Sequence, residues 1–122
     1  SLPAEMAATP GASGVKINPP LLTANNETVA AGEQAYGANC AVCHGAAAVT
    51  AAGSIAPDLR YSGLLPFRGQ WNGAVREGDR AQRGMPGFSA SLTEEQTDAI
   101  LAYVIKRAND EKAAQEAVAR PN

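Results

Sequence analysis

The run Cys40-Ala41-Val42-Cys43-His44 sets two thiols three positions apart, with an imidazole directly after the second. This is the spacing that attaches a haem covalently. Thiols so placed reach the two vinyl groups on one edge of a porphyrin. The histidine that follows then falls beneath the iron and becomes its proximal ligand. The chain has two cysteines and one histidine, and all three lie in this run. Three other readings stand beside it. One is a thiol pair with a chance neighbour. Another is structural zinc, which wants four Cys or His ligands where this run offers three, two of them crowded beside the His. The last is a thioredoxin-like dithiol, which needs a βαβ context that the chain does not supply.

An iron held by one histidine needs a second axial ligand or an open face. Lys, Asn, His and Met all serve in principle, and a second His does not exist here. Met6 lies in a proline-rich segment, whereas Met85 stands between Gly84 and Pro86. Glycine lets the backbone come close, and proline fixes the loop so that a thioether can be held over the iron. These neighbours name His44 and Met85 as the metal ligands; the plainer reading of Met85 is a core filler. His/Met ligation raises the reduction potential relative to two nitrogen ligands. It also fills both axial positions, which suits single-electron transfer and not oxygen or peroxide activation.

Supporting roles follow from the same chemistry. The ring N–H of a ligating His donates to a carbonyl that orients it. Pro57 is the candidate for that carbonyl, against the plainer reading of a loop proline. Arg60, Tyr61 and Trp71 are candidate donors to the haem carboxylates. Arg60 leads them because a guanidinium matches a carboxylate, while Trp71 suits plain core packing as well. Leu59, Leu64, Leu65, Phe67, Val75 and Phe88 are candidate pocket walls. Arg76, Arg80 and Arg83 precede Met85, against Glu77 and Asp79. They form a modest positive patch that would steer docking to an acidic partner, or merely a solvated face.

The elements that must hold these residues are helices. A first helix is expected from Asn26–Thr28 to the cysteines, capped by one of those residues. Val29, Gly32, Tyr36 and Cys40 form its inner face. A short helix is expected over Phe67 to Glu77, with Trp71, Ala74 and Val75 inward and Gly78 at its C-cap. Thr93 with Gln96 makes a capping box, and Glu94 and Glu95 suit the helix dipole. That last helix carries Ile100, Tyr103, Val104 and Arg107 on one stripe. It reaches Ala108, then continues or restarts through Ala113–Ala119. No alternating strand pattern occurs. The fold class is all-α, three to five helices with long loops around a covalent haem. Long loops in a small domain need something to pack against.

The chain has 122 residues, enough for one domain with tails. Residues 1–27 read as a proline-rich arm or linker with Leu21 and Leu22 pinning its end, 28–109 as the cytochrome domain, and 110–122 as a C-terminal helical extension or tail. Aromatic residues make up only 5%, so the protein-only core is thin and a large apolar cofactor would complete it. A net charge of −2 argues against general nucleic-acid binding. No apolar run approaches a membrane span. No signal-peptide pattern opens the sequence, which is expected to be a mature chain or an excised domain.

The haem motif, Pro57, Met85 and an aromatic in the last helix together resemble the class I c-type cytochromes, which implies a small cytochrome c fold. In that family the first and last helices cross beside the haem, with a Gly and an aromatic at the contact; Gly32, Tyr36 and Tyr103 match those positions. The likeness narrows over Tyr36-Gly-Ala-Asn-Cys-Ala-Val-Cys-His-Gly45, Ala56-Pro-Asp-Leu-Arg60, Gly84-Met-Pro-Gly-Phe88 and Ala102-Tyr-Val-Ile-Lys-Arg107. These runs are similar to the C-terminal cytochrome domain of quinohaemoprotein alcohol dehydrogenases. The resemblance implies a periplasmic, exported bacterial electron carrier and not an enzyme in itself. Its donor would be a quinoprotein (PQQ) dehydrogenase, and its acceptor a further cytochrome or an oxidase. The β-propeller of that family, with its quinone and calcium, is absent from this sequence. The chain would then be an excised domain, a subunit or a free cytochrome. Two rivals are a free-standing shuttle to a terminal oxidase or reductase, and a haem enzyme or gas sensor with a displaceable sixth ligand.

Overall fold

The computed structural model describes residues 15–49 and 58–120. Met6 and Pro57, with the carbonyl role expected of Pro57, lie outside the described residues. Among the described residues there are four α-helices and no strand, in line with the all-α expectation. They are α1 (Asn26–Asn39), α2 (Ala41–His44), α3 (Arg68–Val75) and α4 (Glu94–Ala119). Short 3-10 turns occur at Ala46–Ala48, Leu59–Tyr61 and Ala81–Arg83.

Helix α1 starts at Asn26, within the expected Asn26–Thr28, but its cap is Asn25 rather than Asn26 or Thr28. Asn25 is extended, and its Oδ1 accepts the Thr28 N–H at 2.8 Å. An Asn in that conformation satisfies one of the amides that a helix start leaves without a partner. Helix α3 is shorter than expected and ends at Val75, with Gly78 (φ 77°) beyond the cap rather than at it. Trp71, Ala74 and Val75 are buried as the periodicity requires. Phe67 is not a wall: it caps α3 and is 53% exposed.

Helix α4 opens on the capping box. Thr93 Oγ1 accepts the Gln96 N–H at 3.1 Å, and Gln96 Oε1 accepts the Thr93 N–H at 2.8 Å. The helix then runs unbroken past Ala108 to Ala119, so no backbone break marks the expected start of the tail near residue 110. Two features sustain it. Ion pairs four apart join Lys106 to Asp110 and Lys112 to Glu116 on its outer side. On its inner side Glu111 is buried against Arg60.

The first and last helices cross at Gly32. A Cβ there would lie 1.8 Å from the Ala99 carbonyl oxygen, so only glycine permits this approach. One turn on, Tyr36 and Tyr103 meet with ring centroids 5.4 Å apart and planes tilted by 52°. This is the contact that the family resemblance implies for Gly32, Tyr36 and Tyr103. Tyr36, Ile100 and Val104 are the largest apolar side chains that the described core buries fully.

The described part of the arm lies along the far half of α4. Ile17 is buried, and Gln115 brackets the chain beside it: its Oε1 accepts the Ile17 N–H at 3.0 Å, and its Nε2 donates to the Val15 carbonyl at 2.7 Å. Asn109 Nδ2 donates to the Pro20 carbonyl at 2.9 Å. Leu21, expected to pin the arm, is 84% exposed; Ile17 does so instead.

Candidate haem site

The helix crossing sets the position of the motif. Cys40 closes α1, its N–H donating to the Tyr36 carbonyl at 2.8 Å. Its own carbonyl accepts the His44 N–H at 2.9 Å, which forms the single turn α2. Gly45, at φ 87°, ends that turn. The Tyr36 hydroxyl donates to the Gly45 carbonyl at 2.6 Å, so a side chain fixed at the crossing also fixes the residue after His44. Burial, with Cys40 and Tyr103 nearby, pushes the Tyr36 phenol well above its ordinary range. Ala47 and Ala48 both take left-handed φ (55° and 62°), and Arg107 Nε donates to the Ala47 carbonyl at 2.9 Å. Left-handed backbone is costly at alanine, so packing from α4 holds this bend.

Met85 arrives from another part of the chain. Its N–H donates to the Arg80 carbonyl at 3.2 Å, around the 3-10 turn Ala81–Arg83. Beyond it, the Phe88 N–H donates to the Val75 carbonyl at 2.8 Å and the Ser89 N–H to the Arg76 carbonyl at 3.2 Å. These bonds stitch the methionine loop to the end of α3. Gly87 is needed there, because a Cβ would lie 2.7 Å from the Arg76 carbonyl oxygen.

The two segments face one cavity of about 1200 Å³. Cys40, Cys43, His44 and Met85 all line it, together with Leu59, Leu64, Trp71, Val75 and Phe88. Cofactor pockets generally run to about 300–1000 Å³, so the space accommodates a large flat group. His44 and Cys40 are buried, while Cys43 is exposed and Val42 is 91% exposed. Burial pushes the Cys40 thiol up to about 11, with Cys43 adding to it. The donor set fits a haem: two thiols, one imidazole, one thioether and apolar walls.

The expected carboxylate donors are placed otherwise. Arg60 does not line this cavity. Its Nη2 and Nε donate to Asp58 at 2.7 and 3.0 Å, and its Nη1 contacts Glu111 at 3.4 Å. Burial opposes its charge, but Asp58 and then Glu111 hold its pKa above the ordinary value. Trp71 lines the cavity, yet its Nε1 donates to the Thr97 carbonyl at 3.2 Å, which leaves packing as its part. Tyr61 lines both the large cavity and a smaller one of about 330 Å³ beside the arm, and its hydroxyl accepts from Gln115 at 3.2 Å. Leu65 is buried in the core and lines only the smaller cavity. Glu111 and Gln115 went unnoticed in the sequence because they look like two more polar residues on a surface helix.

A family model described as cytochrome c oxidase, cbb3-type, subunit III matches residues 27–104. The chain belongs to this family of c-type cytochrome domains. Such a domain carries haem iron and transfers electrons, and the small cytochrome fold read from the sequence is borne out. Relatives narrow the branch. Quinohemoprotein alcohol dehydrogenase ADH-IIG of Pseudomonas putida is 40% identical over 92 residues, covering 75% of this chain and 12% of the relative. The 1-butanol dehydrogenase (cytochrome c) of Thauera butanivorans is 36% identical, with 80% and 13% covered. The solved structure of quinohemoprotein alcohol dehydrogenase ADHIIG from Pseudomonas putida HK5 superposes with a TM-score of 0.67 at 38% identity, over 79% of this chain and 14% of that one. The cytochrome domain thus spans 12–14% of the length of these relatives. The resemblance to the cytochrome domain of quinohaemoprotein alcohol dehydrogenases holds.

Proposed function

We propose that this cytochrome domain binds one haem c, attached through Cys40 and Cys43 with His44 and Met85 as axial ligands. It carries single electrons from a periplasmic quinoprotein (PQQ) dehydrogenase to a further cytochrome or oxidase, and catalyses no reaction of its own. The observation that carries this is the convergence of Cys40, Cys43, His44 and Met85 on one largely apolar cavity. The donor assignment draws on the relatives, whose names are those of quinohemoprotein and quinone-linked alcohol dehydrogenases. The periplasmic assignment draws on the family resemblance of the sequence. Among the described residues no helix is long and apolar enough to cross a membrane.

When bound, the haem supplies a one-electron iron couple. The chain's residues shape its use. Cys40 and Cys43 would hold the haem covalently through its vinyl groups. His44 and Met85 would ligate its iron and leave no open site for oxygen or peroxide. Leu59, Leu64, Val75 and Phe88 exclude water. The exposed Cys43 and Val42 mark the edge where a partner comes nearest.

The test is expression in a host with haem-attachment machinery. The expected product shows a mass increase of one haem that survives denaturation, and sharp α and β bands on reduction. In stopped flow it is reduced by a quinoprotein alcohol dehydrogenase with alcohol present. A chain that gains no haem overturns the cofactor assignment. A haem-loaded chain that this class of dehydrogenase does not reduce overturns the donor assignment alone.

A further inference from the structure

The turn that delivers Met85 also delivers two arginines. Arg80 precedes the 3-10 turn Ala81–Arg83, and the Arg83 N–H donates to the Arg80 carbonyl at 2.9 Å. Residues three apart in such a turn eclipse one another, so both stems rise from one side of it. Gly84, at φ 95°, then reverses the chain into Met85. Among the described residues, Arg80 and Arg83 are the only Lys or Arg residues that line the large cavity.

Their charges are also uncommitted. Arg60, Arg68, Arg76, Lys106, Arg107 and Lys112 each pair with a carboxylate. No ion pair forms to Arg80 or Arg83 among the described residues. Among the described residues the one carboxylate on the cavity wall, Asp58, is already paired with Arg60. Among those residues the wall therefore carries two cations with no ion-pair partner. A haem brings two carboxylates on the edge away from its vinyl groups, and a carboxylate leaving bulk water needs N–H donors and positive charge. The guanidinium fork supplies both.

We propose that Arg80 and Arg83 form the site that holds the haem carboxylates, the task that Arg60 and Trp71 are too committed to perform. The inference rests on the haem reading above. One short turn would then fix the thioether and the carboxylate edge together.

The test uses the covalently loaded chain with haem labelled with ¹³C at its carboxyl carbons. Wild type is compared with the double variants Arg80→Gln/Arg83→Gln and Arg80→Lys/Arg83→Lys by redox-difference infrared spectroscopy and equilibrium redox titration. The site predicts that the labelled carboxylate bands shift in the Gln variant and that its potential falls, because two uncompensated carboxylates favour ferric iron. The Lys variant restores the charge without the fork. Its potential returns toward wild type while its carboxylate bands stay shifted. Circular dichroism and the thioether-to-iron absorption band check that fold and Met85 ligation persist. Unchanged bands and potential in the Gln variant overturn the proposal. So does a variant that changes only the salt dependence of reduction by an acidic protein, since the pair would then be a docking patch. A wild-type chain that takes up no haem fails at the underlying reading, and that outcome is seen before any variant is compared.

Discussion

Arg60 stands between Asp58 and Glu111 with 5% of its side chain exposed, and Glu111 opposite it has 2%. Removing one member of a buried ion pair strands the other charge at a cost of about 3–5 kcal/mol. Arg60→Ala is therefore expected to lower the urea midpoint sharply while leaving the reduction potential of the surviving folded fraction near wild type. A large potential change at unchanged stability would return Arg60 to the cavity. Met85 has the opposite signature. Met85→Ala is expected to leave the fold intact, lower the potential, and let the reduced protein bind carbon monoxide, read as a shift of the main haem absorption band. That Cys40, Cys43, His44 and Met85 would meet at one cavity was legible because the signal lies in adjacent residues. Arg60 misled because the partner that completes its burial is 51 residues away. Trp71 was ambiguous for the same reason, since a backbone carbonyl 26 residues on takes its N–H.

Two helices meeting without a side chain between them make the Gly32 contact unforgiving. Gly32→Ala must push α1 off the Ala99 carbonyl, and over-packing of this kind costs roughly 1–3 kcal/mol. The expected result is a lower thermal midpoint together with a disturbed haem spectrum, because Tyr36 and the His44 turn move with α1. The same crossing gives an alkaline limit. Burial raises the phenols of Tyr36 and Tyr103 above their ordinary value of 10.0. The folded state keeps protons that the unfolded chain releases above that pH. Stability from this source is complete below about pH 10 and declines as pH rises beyond it toward the folded values. Tyr36→Phe should lose about 1 kcal/mol at neutral pH with its bond to Gly45, and show a shallower alkaline decline of the denaturation midpoint. The capping box of α4 was readable from Thr93 and Gln96 alone. Whether α4 continues or restarts beyond Ala108 was not, because a buried Glu111 interrupts the apolar stripe that would have announced an unbroken helix.

The whole domain is closed by contacts between its beginning and its end. Gln115 holds the backbone at Val15 and Ile17 while its amide also meets Tyr61 and Glu111. Gln115→Ala removes the side-chain acceptor of the part-buried Ile17 N–H, a loss of about 1 kcal/mol. Amide exchange at Ile17 should accelerate more than exchange within α4. Equal acceleration everywhere would show that the arm has no separate attachment. Composition hinted at an arm but not at its seat, since Ile17 and Leu21 look alike in sequence and only one is buried. These contacts join positions 98 and 100 residues apart. For a helical protein that is an unusually non-local topology, and loop closure must precede the contacts that reward it. Folding of the apo chain is therefore expected to lag well behind bundles whose helices pack on their sequence neighbours. A circular permutant that joins the arm to the end of α4 would shorten the loop to be closed and relieve that delay.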